Sequence, residues 1–287
     1  MTPVTPDILW LAEPGATDPA VVGGKAANLA RLAAAFPVPP GFCVTAPAHA
    51  RHTPGDAVPE PLRARITAAY AALGERCGLA DPPVAVRSSA VDEDGVHASF
   101  AGMFLSCLNV RGGEAVLAAV GRCWAAAADP RVLAYRGEHG LAAGGLAVLV
   151  QALVDADTAA VVFSVNPTHG AADELVINAN WGLGESVVGG LATPDTWILR
   201  RPDLTPLRRH LGDKQRMTVR TAEGTHEVAV PRTMRARPCL SDLQVHALAE
   251  LAVRLEATMG WPVDIECAHA DGQLHLLQCR PVTALRR

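Results

Sequence analysis

The sequence predicts an α+β protein, on three observations. Two amphipathic helices fall in the first third and a third lies near the end, while short apolar runs typical of strands fill the middle. These elements do not alternate as strict βαβ units. A chain of 287 residues that is 49% hydrophobic and 19% charged can build a sizeable core, in about two domains.

The first helix signal is Gly23 to Phe36, with Leu29, Leu32, Ala33 and Phe36 on one stripe and Lys25 in the first turn behind Gly23-Gly24. Seven prolines between Pro37 and Pro61 mark a connecting segment around one short strand, Phe42–Thr45. A second helix runs from Leu62 to Cys77 and stops at Gly78. A short strand, Val84–Val86, leads into a polar loop that begins at Arg87-Ser88-Ser89 and continues through Gly102. A helix is expected over Glu114–Ala128, then buried strands at Leu146–Gln151, Ala160–Ser164 and Glu174–Ala179, and further strands at Thr196–Arg200, Arg216–Arg220 and Thr225–Val230. Ser241 and Gln244 form a capping box for the last helix, which Gly260 ends. A terminal hairpin, Pro262–His269 and Gln273–Arg280, turns at Asp271-Gly272.

Composition excludes several functions. The net charge is −4 and there are only 12 aromatic residues, so neither a polyanion-binding surface nor a base-stacking platform is expected. No run approaches the roughly 18 apolar residues of a membrane span, and Met1–Gly15 lacks the basic start of a signal peptide. The seven cysteines include no CxxC pair and read as reduced, mostly buried residues of a cytoplasmic protein. Of the 25 lysines and arginines only Lys25 and Lys214 are lysine, which singles out Lys25 as a place where a compact ammonium is needed.

The hairpin carries the most chemistry. Asp264 and Glu266 share one strand face, and Gln278 and Arg280 share a face of the next strand. An odd-length loop puts all four on one side of the sheet, and a two-residue loop puts them on opposite sides. The odd loop is expected, because a carboxylate, an amide oxygen and a guanidinium together suit Mg²⁺ and phosphate; the alternative is a solvated polar edge. The stretch from Arg87 through Asp92-Glu93-Asp94-Gly95 to Gly102 reads either as a phosphate cradle or as an ordinary surface loop. It is neither a Walker A loop nor a dinucleotide fingerprint. Trp181-Gly182-Leu183-Gly184-Glu185 reads as a tight structural turn.

Taken in order, VGGKAANLARL (22–32), VPPGFCVT (38–45), VRSSAVDED (86–94), ASFAGMFLSCLNV (98–110), NANWGLGESVVGG (178–190) and DIECAHADGQLHLLQCRPVT (264–283) resemble the nucleotide-binding domain of the phosphoenolpyruvate synthase, pyruvate phosphate dikinase and rifampin phosphotransferase family. The resemblance spans nearly the whole chain. It implies an ATP-grasp fold with lobes at 1–155 and 156–287 that clasp ATP. It further implies that Lys25 and Arg87 hold the ATP phosphates, that Gly102 and Ser106 belong to the loop over them, and that Gln151 lines the adenine pocket. Glu266 and Gln278 would be Mg²⁺ ligands, and Arg280 the cation on the terminal phosphates.

Ser106 stands where the family commonly has threonine; His97, Met103 and Ala152 also depart from it. None of the ten histidines has the Thr/Ser-Gly-Gly setting of the family's phosphorylated histidine, and His169 in NPTHG is expected in a turn. The expectation is therefore the ATP half of a phosphotransferase, which diphosphorylates a histidine on a separate partner and yields AMP, with phosphate released later. A stand-alone kinase or ligase yielding ADP, and a nucleotide-binding module without turnover, are the alternatives.

Overall fold

The computed structural model describes residues 5–51, 58–90, 105–130, 145–190 and 192–283. The chain divides into two compact units, Met1–Leu153 and Val154–Arg287. Both mix helices with antiparallel sheet.

The first unit contains β1 (Ile8–Trp10), α1 (Pro19–Leu32), β2 (Gly41–Val44), α2 (Ala46–Ala50), α3 (Glu60–Cys77), β3 (Val84–Ala90), β4 (Ser106–Val110), α4 (Gly113–Ala127) and β5 (Leu146–Ala152). Its strands form one sheet in the order β1-β2-β5-β3-β4. On one side, Phe42, Val44, Val84, Val86, Val148 and Val150 pack with Ile66 and Leu73 of α3 and Val116 and Val120 of α4. The α3 stripe of Leu62, Ile66, Tyr70 and Leu73 is buried as its spacing predicts, and Gly78 ends the helix in the left-handed region at φ 67°. The other side of the sheet receives α1, since Ser89, opposite in parity to Val86 and Ser88, accepts from Ala26 N at 3.1 Å through Oγ.

One expectation is overturned here. Arg87, Ser88 and Ser89 do not open a loop; they continue β3, paired with Leu149, Val148 and Ala147 of β5. Serine is tolerated in this buried strand because the Ser89 hydroxyl caps a helix while the backbone keeps its ladder bonds. The continuation through 91–104, including Gly102, His97 and Met103, lies outside the described residues.

The second unit contains β6 (Thr158–Phe163), β7 (Glu174–Trp181), α5 (Glu185–Val188), β8 (Asp195–Arg200), β9 (Pro206–His210), β10 (Arg216–Thr221), β11 (Gly224–Ala229), α6 (Arg232–Arg235), α7 (Asp242–Met259), β12 (Val263–Ala270) and β13 (Gln273–Pro281). Six strands form a sheet in the order β13-β12-β6-β7-β8-β9, and β10 and β11 form a separate ribbon. Helix α7 starts at the Ser241–Gln244 capping box, ends at Gly260, and packs Val245, Leu248, Leu251 and Leu255 against the sheet. The WGLGE segment is the structural turn expected: Gly182 has φ 75°, and Leu183 N donates to Thr218 O at 2.8 Å. No helix among the described residues is long and apolar enough to cross a membrane.

Lys214, the second lysine, is fully buried in this unit. Its ammonium pairs with the Asp195 carboxylate and donates to Gly212 O at 3.1 Å. Asp195 also accepts from Gly212 N at 2.9 Å and Cys239 N at 2.8 Å, so one carboxylate ties β8 to the 212–214 segment and to the approach to α7. A buried ion pair gains its worth from completeness, because removing one side strands the other charge. Asp195→Ala is therefore expected to destabilise the second unit by about 3–5 kcal/mol, read as a lowered urea midpoint.

Candidate functional site

In the first unit, Lys25 sits where α1 is interrupted. Gly23 adopts φ 78° inside the helix, and a Cβ built there would lie 2.1 Å from Ser89 O. Only glycine permits both this backbone and this approach. The helix restarts after the break, with Ala26 N capped by Ser89 Oγ and Lys25 Nζ donating to Ser88 O at 3.1 Å. Lys25 is 7% exposed, so the break holds an ammonium against β3 instead of leaving it in solvent.

Arg87 and Ser106 are direct partners across β3 and β4. Arg87 also faces Leu149, and two residues along, Ala85 faces Gln151. By strand parity Arg87, Ser106 and Gln151 share the α1 side of the sheet. Ser106 is exposed, whereas Gln151 is 2% exposed and donates through Nε2 to Pro39 O at 3.2 Å. The Gln151 amide is thus engaged with the proline segment that leads into β2.

In the second unit, Glu266 pairs with Gln278 and Asp264 with Arg280. All four side chains lie on one side of the sheet, but not for the reason expected. The turn is the two-residue Asp271-Gly272, at φ 50° and 75°, which by itself gives the wrong parity. The pairing shifts between Cys267↔Leu276 and Glu266↔Gln278, so Leu277 is an extra residue on β13. This bulge restores the parity that an odd loop was expected to give.

Arg280 Nε donates to Asp264 Oδ2 at 2.9 Å, while Asp264 Oδ1 is buried and has no hydrogen-bond partner among the described residues. Burial pushes the Asp264 carboxyl above its ordinary pKa; Arg280 opposes the shift and Glu266 adds to it. Glu266 continues across the sheet through Val161 to Asn178, whose Oδ1 accepts from Thr196 Oγ1 at 2.9 Å. A cavity of about 330 Å³ opens here, lined by Glu266, Arg280 and Asn178 with the apolar Val161, Phe163 and Val187.

Sequence reasoning placed Glu266, Gln278 and Arg280 but left Asp264 as a bystander carboxylate and missed Asn178. The alternation Asp264-x-Glu266 was the available signal for the first. Asn178 reaches this site only through long-range strand pairing. No cluster of three or more His, Cys, Asp or Glu suited to a metal occurs among the described residues. Two carboxylates and an amide oxygen nevertheless suit Mg²⁺, which uses few protein ligands and completes its shell with water and phosphate oxygens. His169 lies in the turn expected, with Nε2 3.4 Å from Glu174 Oε2.

Two outcomes follow. Gly23→Ala is expected to push α1 off β3 and cost about 1–3 kcal/mol, with a lower urea midpoint. The raised Asp264 carboxyl contributes stability that is fully present below the ordinary carboxylate pKa of about 3.9 and is lost as pH rises through its folded value. Asp264→Asn is expected to remove that loss, giving a flatter midpoint-against-pH curve above pH about 4.

Comparison with known proteins agrees with the resemblance in the sequence. The family model for the pyruvate phosphate dikinase AMP/ATP-binding domain matches residues 53–287. A probable phosphoenolpyruvate synthase of Methanocaldococcus jannaschii is 38% identical over 320 residues, covering 98% of this chain and 27% of that protein. The rifampicin phosphotransferase of Streptomyces sviceus is 35% identical over 318 residues, covering 97% of this chain and 36% of that protein. The chain thus spans about a third of the length of these curated relatives. Among solved structures, D-alanyl-alanine synthetase A of Vibrio cholerae aligns with 90% of this chain and 56% of that one, at 13% identity and a TM-score of 0.36. On the family match and the length of the alignments, the chain belongs to the pyruvate phosphate dikinase AMP/ATP-binding domain family.

Proposed function

We propose that this chain is the ATP-using component of a phosphotransferase: it binds Mg-ATP and passes a diphosphoryl group to a histidine on a separate partner domain or protein, leaving AMP. Phosphate is released afterwards, and the phosphohistidine serves a small acceptor molecule. The observation that carries this reading is the terminal ribbon, where Glu266, Gln278, Arg280 and Asp264 converge on one side of the sheet. The family match supports ATP as the substrate.

In this reading the fold is an ATP-grasp and the lobes are 1–155 and 156–287. Lys25, Arg87 and Arg280 are the cations on the phosphates. Ser106 offers its hydroxyl from β4, opposite Arg87, and not from a loop as the resemblance implied, Gly102 lies outside the described residues, and Gln151 holds the strand that borders the adenine. Glu266 and Gln278 hold Mg²⁺ through a carboxylate and an amide oxygen, and the unpartnered Asp264 Oδ1 beside them fits the same role or that of orienting a metal-bound water. When bound, Mg²⁺ neutralises charge on the transferring phosphoryl groups.

The chain's own contribution is positioning and charge placement. Phosphoryl transfer passes through a loose transition state with charge spread over equatorial oxygens, so fixed cations stabilise it without themselves reacting. Asp264 holds the Arg280 guanidinium from the Nε side. The break at Gly23 holds Lys25 on β3. Each ordering contact is made before nucleotide arrives, which spares part of the cost of arranging it during reaction.

Chromatography of nucleotides after incubation with Mg-ATP tests the reaction. AMP is expected only when a histidine-bearing partner domain is supplied, and ADP formed with a small acceptor and no partner contradicts the proposal. Glu266→Ala is expected to abolish turnover while the circular dichroism spectrum is unchanged. A fully active Glu266→Ala protein overturns the metal assignment.

A further inference from the structure

Cys107 and Cys123 form a pair that the nucleotide chemistry does not use. Cys107 lies on β4 and is half-buried, while Cys123 lies on α4 and is wholly buried. Cys107 is the strand partner of Val86, so its side chain points to the α4 side of the sheet. Cys123 Sγ lies on that side, 4.0 Å from Val86 O and 3.8 Å from Leu105 O. Both thiols therefore face the space between β4 and α4. Arg122, next to Cys123 on α4, places Nη2 3.6 Å from Cys107 Sγ.

This arrangement differs from the other thiols. Burial pushes Cys43, Cys77, Cys239 and Cys267 upward, away from the reactive thiolate. The neighbouring Cys123 and then Arg122 lower Cys107 to about 6, against the opposing effect of burial. A half-buried thiol beside an arginine, with a second thiol on the same side of the sheet behind it, is the arrangement that redox-responsive cysteines use.

We propose that Cys107 and Cys123 are a peroxide-reactive dithiol that closes to a disulfide joining β4 to α4. In the first step the Cys107 thiolate attacks one oxygen of hydrogen peroxide. An S–O bond forms, the O–O bond breaks, and the departing hydroxide takes a proton to become water. In the second step the Cys123 sulfur attacks the Cys107 sulfenic acid. The S–S bond forms and the S–O bond breaks, and the Cys123 proton leaves with the hydroxide as a second water. The peroxide gains two electrons and the two sulfurs together lose two. The bond would fix an edge strand whose neighbouring residue, Ser106, is the partner of Arg87.

The test is thiol counting and peptide mass mapping of the full chain after mild hydrogen peroxide treatment. The expected result is loss of two of the seven thiols, a Cys107–Cys123 linked peptide, and full recovery with dithiothreitol. In Cys123→Ser the reaction is expected to stop at a Cys107 sulfenic acid that dimedone traps, and Cys107→Ser is expected to keep all its remaining thiols. Seven intact thiols in the unsubstituted protein after peroxide treatment, Cys107 oxidised without linkage to Cys123, or linkage through other cysteines overturns the proposal. The mapping of the unsubstituted protein stands by itself if a variant fails to fold.

Discussion

Strand parity at the terminal ribbon is the constraint on which the candidate site depends. Side chains alternate sides along a strand, so one residue more or fewer between Glu266 and Gln278 moves half of the polar set to the α7 side. The two-residue turn at Asp271-Gly272 sets one parity and the extra Leu277 on β13 reverses it. Because β12 is bonded to β13 on one side and β6 on the other, the ribbon is not free to slip. Glu266 is thereby committed to the side that carries Asn178 and the cavity.

The first unit meets a comparable constraint through a helix break. A lysine on an ordinary surface helix projects into water, but Gly23 turns the chain so that α1 restarts against Ser88 and Ser89. The same strand, β3, then presents Val86 to the core and Arg87 to the α1 side. One strand thus serves stability with one set of alternating residues and polar chemistry with the other. The two lysines kept in an arginine-rich sequence have different uses. Lys214 closes a buried ion pair that organises the second unit, while Lys25 is buried against β3 where the helix restarts.

Much of this was legible in the sequence. The long helices declared themselves through apolar stripes and caps, as at Ser241–Gln244 and Gly78, because those signals are local. The polar set of the ribbon was legible because carboxylate, amide and guanidinium recur at alternate positions. The loop parity was misread, since a bulge depends on twist and on pairing with β6, which no local pattern records. The strand continuing through Arg87-Ser88-Ser89 was read as loop because serine favours turns when its hydroxyl lacks a distant partner. Here that partner is Ala26, 63 residues away. Strands β1, β4 and β9 were missed for a related reason: they are short, and β9 is exposed throughout, so burial leaves no alternation to read.

The most direct measurement of the central claim is an experimental structure of the chain with Mg²⁺ and a non-hydrolysable ATP analogue. The account predicts metal on a Glu266 carboxylate oxygen and the Gln278 amide oxygen, with the analogue's phosphates against Lys25, Arg87 and Arg280. A nucleotide bound without metal at Glu266 and Gln278, or bound away from Lys25 and Arg87, contradicts it.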